Sequence, residues 1–351
     1  MTVAGYGPPP DAKCEYVEIV RPPSTRAQRG IWAVKLVSRA FESYFWNRPA
    51  IKAGLRALAN RKFDLVISND VASLPLALKI AVDAPVLADA HEYSPREFDD
   101  LLAWRLLFRP YINYICREYL PKSAALTTVC DGIASAYRDD FGVLSEVIYN
   151  APDFVDLTPS DIHSGKVRIV HHGAAIRSRR LEVMIDVLDL LDERFTLDFM
   201  LVPSDPAYLT ELQRRASSNK RVQFKSTVPV EEISRSLNGY DVGLFLLPPT
   251  NFNYEFALPN KLFEFVQARL AVAVGPSPEM ARLVNAHSLG IVAESFEPQD
   301  MARALQAVSD QQLEAYKMAS HAAARKLSFE ESGRRLKARI DALLALKSSA
   351  L

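Results

Sequence analysis

The sequence predicts an α/β protein of two domains, each a doubly wound parallel sheet. Three observations carry that prediction. The chain has 351 residues, more than one hydrophobic core usually organises. Short apolar runs alternate with stretches of helical period, in two separate series. Between the series lies a polar stretch, 156–165, with Pro159, Ser160 and Gly165, which reads as the linker. The expected organisation is a first domain over 1–160, a second over 161–325, and a terminal helical segment over 326–351.

In the first series, residues 1–7 make a short apolar strand closed by Gly7 and the prolines at 8–10. Residues 16–20 alternate like a second strand, and 21–29 form a basic loop. From 31 to 59 the period is helical, with a break expected near Asn47, Arg48 and Pro49. The aromatics there (Trp32, Phe41, Tyr44, Phe45 and Trp46) allow two readings. With Arg29, Lys35 and Arg39 they could rest on an anionic membrane surface, or they pack into the core, the commoner outcome. Residues 63–68 (FDLVIS) read as a buried strand because they are almost continuously apolar. A helix over 73–81, a strand over 85–88, helices over 98–108 and 110–120, a strand over 125–129, a helix over 131–141 and a strand over 146–149 follow.

The second series opens with a strand over 167–171 and a loop from His172 to Arg180. Helices are expected over 181–191, 208–217 and 231–237, with strands over 196–202, 222–225 and 242–247 between them. After a last short strand at 290–292 come helices over 298–308, 310–325 and 330–346.

The stretch from Asn251 to Glu279, NFNYEFALPNKLFEFVQARLAVAVGPSPE, carries the chemistry. Residues 251–259 are polar and aromatic, end in proline, and should stay irregular. Leu258, Pro259, Asn260 and Lys261 then open a helix, with Asn260 close to its N-cap. Residues 270–274 are a short apolar strand, stopped by GPSP at 275–278. Lys261 and Glu264 lie three apart and project on one side of the first turn. A helix N-terminus with free N–H groups and a lysine favours phosphate. A glutamate one turn deeper can accept hydrogen bonds from a ribose diol. One helix can therefore hold both ends of a nucleoside diphosphate.

LPNKLFEFVQARLAVAVG, followed by Pro278-Glu279-Met280, resembles the donor site of retaining glycosyltransferases of the GT-B fold, closest to glycosyltransferase family 4. The resemblance extends over 63–291 and is faint before that. It implies two Rossmann-like domains facing across a cleft, a terminal helix crossing back to the first domain, and a nucleotide-diphosphate sugar as donor, with no cofactor and no metal. It places Lys261 on the diphosphate and Glu264 on the ribose, with Leu258 and Asn260 beside the donor. The string SRRLE aligns Arg179 with the family's phosphate-binding arginine, and Arg177 and Arg180 compete for that place. Gly173 would let the backbone approach the ligand. His91, in DAHE just past a strand end, would face a sugar hydroxyl. His91, Arg179 and Lys261 form the catalytic set. Asp70 and Asn150 cap turns or touch ligand, and His171 and His172 shape the glycine loop. The family pattern puts a further glutamate where this chain has Phe256, and Glu255 stands one residue away.

Two other functions fit such an architecture: a non-hydrolysing nucleotide-sugar epimerase, or a non-catalytic partner subunit. The epimerase needs facing carboxylates and histidines, which the first domain's loops supply sparsely. Lys plus Arg equals Asp plus Glu, 42 each, so no global field favours nucleic acid. The acceptor class stays open between glycan, lipid-linked and small molecules. Three cysteines without metal or disulfide spacing fit a reducing cytoplasm, with peripheral membrane contact left open. The opening MTVAGYG resembles the family's second strand rather than its first, so either an upstream strand and helix are expected, or a first domain with a gap at its centre and an impaired acceptor site.

Overall fold

A computed structural model describes residues 1–9, 13–20 and 23–349. The last proline of the Gly7 turn and the first two residues of the basic loop at 21–29 lie outside the described residues. The chain divides into two compact units. The first comprises Met1–Thr128, Ile133–Val147 and Lys337–Leu351; the second comprises Val129–Gly132 and Ile148–Leu336. The chain therefore enters the second unit before the polar stretch at 156–165. Two buried side chains explain this. Gln267 accepts from Val155 N at 3.1 Å, and Arg269 donates to the carbonyls of Val155 and Leu157 at 2.6 and 3.1 Å. The segment expected to be a free linker is thereby fastened down.

The first unit holds β1 (Thr2–Gly5) and β2 (Glu15–Glu18), which pair in parallel with each other alone. Its main sheet contains β3 (Val66–Asn69), β4 (Val86–Ala90), β5 (Ala125–Thr128) and β6 (Ser145–Val147), all parallel and in that order. β3 is an edge strand and not the buried strand expected: Ile67 and Asn69 are exposed. Residues 26–58 form three helices rather than two: Arg26–Val37, Phe41–Trp46 and Pro49–Leu58. The first begins inside the basic loop because Thr25 and Gln28 form a capping box. Phe41, Tyr44 and Phe45 are buried, so these aromatics do pack into the core.

The second unit is built on β7 (Val167–Ala174), β8 (Phe195–Val202), β9 (Val222–Lys225), β10 (Val242–Phe245), β11 (Ala271–Val274) and β12 (Gly290–Val292). They form one parallel sheet in the order β12-β11-β10-β7-β8-β9. The fully apolar β11 is buried along its whole length, as a central strand covered on both faces must be. The helix Asn260–Gln267 lies close against β10. A Cβ at Gly243 would come within 2.3 Å of the Phe265 ring, so only glycine permits that approach. The helix Pro278–Ala286 occupies a place read from sequence as a stop. Pro278 is its first residue, where a missing N–H costs nothing. The terminal helix spans Phe329–Ser349.

Candidate functional site

In the second unit the strand order reverses at β7, whose neighbours are β10 and β8. Open parallel sheets of this kind bind ligands beyond the carboxyl ends of the strands at that reversal. β7 ends in His171, His172, Gly173 and Ala174; β10 ends in Phe245. His171 lies in the strand as expected, and His172 belongs to it too, not to the loop. His171 is fully buried, and its Nδ1 lies 2.8 Å from the carbonyl oxygen of Leu244.

The helix Asn260–Gln267 aims its first turn at this point. Its N-cap is Pro259, without a side-chain cap, and Asn260 is its exposed first residue rather than the cap itself. Leu258 is buried and packs. Lys261 and Glu264, only 6 and 8% exposed, both turn inward and converge on His172. Lys261 Nζ donates to the His172 carbonyl at 2.9 Å, lies 3.3 Å from His171 Nε2, and sits over the Phe245 ring at 4.2 Å from its centroid. Burial, and then the nearby Arg179 charge, hold the Lys261 pKa well below the usual lysine range, while Glu264 opposes them. Glu264 Oε2 lies 3.2 Å from His172 Nε2, close but not aligned as a hydrogen bond. Burial pushes the Glu264 carboxyl up to about 7, and burial with Lys261 pushes His172 down to about 3. A neutral imidazole therefore faces a carboxyl poised near neutrality.

Gly173 has φ +118°, and a Cβ there would lie 3.1 Å from Lys261 Nζ. Its backbone conformation and the lysine's approach both call for glycine. The loop beyond contains a short turn at Arg177–Arg179. Its three arginines differ in their partners. Arg177 is exposed, pairs with Glu211 at 2.8 Å and stacks over Tyr208. Arg180 is exposed and lies 3.8 Å from Glu182. Arg179 is half-buried, has no carboxylate partner among the described residues, and is close enough to Lys261 and His171 to disfavour a proton on either. Two basic side chains thus crowd one place, with Glu264 as the carboxylate acting on Lys261.

Residues 251–259 are less irregular than expected. Phe252–Glu255 makes one helical turn, capped by the Asn251 side chain, which accepts from Tyr254 N at 2.9 Å. The Tyr254 hydroxyl lies 2.9 Å from Ser178 Oγ, tying this turn to the arginine loop. Glu255 is exposed and Phe256 half-buried. The structure thus brings Gly173, Arg179, Lys261 and Glu264 together, and adds His172 and Phe245, both in contact with Lys261.

His91 stands in the first unit, just past β4. Its backbone N–H donates to Asp70 Oδ1 at 3.2 Å, so Asp70 anchors the turn. Its Nε2 lies 3.1 Å from Asp89 Oδ2, and that hydrogen bond raises the imidazole pKa against the opposing effect of burial. His91 opens on a cavity of about 640 Å³ lined also by Asp70, Glu92, Ser94 and Glu97. Burial, then Glu92 and Asp70, push the Glu97 carboxyl up to about 7.

Residues 3–157 match the profile of Glycosyltransferase Family 4. That match falls outside 251–279, so it supports the resemblance from a separate part of the chain. No curated protein matches the sequence significantly. Among solved structures, the fold is similar to TarM of S. aureus (TM-score 0.66, 15% identity), over 84% of this chain and 58% of TarM. This chain therefore spans little more than half of that protein. It is also similar to HepE of Anabaena in complex with UDP (TM-score 0.65, 14% identity, 93% of this chain and 86% of HepE). Sucrose-phosphate synthase of Thermosynechococcus elongatus gives a TM-score of 0.69 at 11% identity, over 95% of this chain and 84% of the synthase. These likenesses show the fold, GT-B with Rossmann-like units.

Proposed function

We propose that the protein is a retaining glycosyltransferase that moves a hexosyl unit from a nucleotide-diphosphate sugar to a glycan, lipid-linked or small-molecule acceptor. One observation carries the reading: Lys261 and Arg179 stand together at the strand-order reversal, beside Gly173, and among the described residues neither forms an ion pair with a carboxylate. A diphosphate supplies the anion that this place lacks. Glu264, one helical turn further on, takes the ribose hydroxyls, with His172 beside it. Leu258 and Asn260 shape the entry to the same helix.

In the reaction, the bond from the anomeric carbon to the diphosphate oxygen breaks, and the acceptor oxygen bonds to that carbon on the same face. The acceptor proton passes to the departing phosphate. Negative charge grows on the leaving oxygen, where Lys261 and Arg179 stabilise it without an essential metal. His91, held by Asp89 and Asp70, is assigned to a sugar hydroxyl. HepE has been solved with UDP and with UDP-glucose, which supports uridine as the first base to try.

The test is a thermal-shift series with UDP, GDP, ADP and UDP-glucose, followed by turnover and NMR of the product anomer. The favoured nucleotide at a hundredfold excess over its Kd should stabilise by about 2.7 kcal/mol. Product of inverted configuration, or turnover abolished by EDTA, would refute the mechanism. No stabilisation by any nucleotide would refute the site.

A further inference from the structure

The helix Arg26–Val37 turns its apolar residues outward. Ile31, Val34 and Val37 are 55, 67 and 68% exposed and follow one another at helical spacing, while Leu36 on the other side is buried. The neighbouring segment adds Leu101, Leu102 and Leu106, each more than half exposed. Six large aliphatic side chains thus stand exposed on two segments that touch each other, a concentration that marks an interaction surface. The helix itself carries Arg26, Arg29 and Lys35 and no acidic residue.

Just beyond its C-terminal end lies a cavity of about 590 Å³ lined by Arg39, Arg105, Arg109 and Arg117, with Glu118 as its one carboxylate. Arg109 is engaged by Asp99 at 3.4 Å, whereas Arg39, Arg105 and Arg117 make no ion pair among the described residues. Leu106 directly follows Arg105, so patch and cavity adjoin.

We propose that this face seats the protein on an anionic lipid bilayer, the aliphatic stripe entering the acyl boundary and the arginine cavity taking a lipid phosphate. Charge selects the occupant. A second copy docked face to face would bring like arginines together. A free phosphate would leave the six aliphatics in water. An anionic bilayer satisfies both halves of the surface.

The test is co-sedimentation of the full chain with vesicles of phosphatidylcholine alone, and of phosphatidylcholine mixed with phosphatidylglycerol. Binding should require phosphatidylglycerol and weaken with salt. The double variant Arg105→Ala/Arg117→Ala should partition about thirtyfold more weakly, at about fivefold for each charge near an anionic surface. Val34→Asp, and separately Leu106→Asp on the second segment, should each reduce partitioning by roughly tenfold or more, with an unchanged circular dichroism spectrum. Equal binding to both vesicles, unchanged binding of the double variant, or no vesicle binding at all would overturn the proposal. So would a dimer in sedimentation that Val34→Asp dissolves without any vesicle binding.

Discussion

Replacing Lys261 by methionine separates what this residue does for function from what it does for stability. The side chain is buried, and its ammonium is disfavoured by burial and by Arg179. A lysine whose folded pKa lies below 10.5 binds its proton more weakly in the folded state than in the unfolded state. Folding stability then rises with pH between the folded pKa and the unfolded value. Lys261→Met removes that burden and keeps the volume, at the expense of the 2.9 Å hydrogen bond to His172 O, which is worth about 1 kcal/mol. Without nucleotide, the variant should therefore melt at or above the wild-type temperature, and its stability should depend less on alkaline pH. With nucleotide the sign reverses. One charge-assisted hydrogen bond is worth about 1.5–3 kcal/mol, so UDP affinity should fall roughly 10- to 150-fold. The loss in kcat should be at least as large, because the leaving phosphate gains charge in the transition state. Calorimetry gives an independent readout: the bound anion should raise the Lys261 pKa, so at a pH between its free and bound values the binding enthalpy should depend on the buffer, and Lys261→Met should lack that dependence. Unchanged turnover in Lys261→Met would remove the diphosphate assignment. A large loss of stability with intact turnover would make the residue structural.

Three further predictions test the surrounding residues. Arg179→Ala should weaken UDP binding by roughly 10- to 150-fold, whereas Arg177→Ala, which removes exposed contacts with Glu211, Asp205 and Tyr208, should leave affinity within about threefold; equal effects in titration calorimetry would refute the choice of arginine. Glu264 holds its proton up to about pH 7 when folded against 4.5 as the ordinary value, so wild-type stability should fall as pH rises through that window, by up to about 3 kcal/mol. Glu264→Gln should flatten that fall in urea denaturation and weaken uridine binding; an unchanged slope would count against the burial argument. His91→Ala should lower kcat while leaving UDP affinity within about twofold, since no nucleotide contact is assigned to it; an equal loss of UDP affinity in calorimetry would reject the sugar assignment.

Much of this fold was legible because apolar runs and helical periods are local signals. The alternation that gave β7 to β10 and the helix Asn260–Gln267 is written residue by residue. The misreadings share one cause: a local signal with two meanings. Pro278 was read as the end of a strand, but proline is equally suited to a helix's first position. The basic loop hid Thr25 and Gln28, whose three-residue spacing is the cue to a capping box. β3 looked buried because an apolar run does not reveal whether a strand lies at an edge. In the site, Lys261 and Glu264 were legible from their spacing. The choice among Arg177, Arg179 and Arg180 was not, because it depends on Glu211 and Glu182, which other elements bring near. Nor could the place of Phe245 beneath Lys261 be read, since that contact joins a strand end to a helix start.

Burial and like charge hold several groups of this site in an electrostatically unfavourable arrangement, and that arrangement favours an anion. Lys261 and Arg179 oppose each other's charge, His171 and His172 are kept from protonating by burial and by Lys261, and Glu264 is held near neutrality by burial. A fold under no functional demand would be expected to replace such a lysine by an apolar residue or to give it a carboxylate partner. Here Glu264, the carboxylate that acts on Lys261 among the described residues, is itself pushed up to about 7, so it carries full charge only above neutrality. Asp241 shows the alternative within the same unit: it is equally buried, but Arg168 at 2.9 Å and Lys317 at 3.5 Å balance its charge. The fold can pair a buried charge where only structure is at stake, and it leaves Lys261 and Arg179 unpaired at the strand-order reversal. An incoming diphosphate would relieve both cations at once, and its growing charge during bond cleavage would be met by groups that need not reorganise.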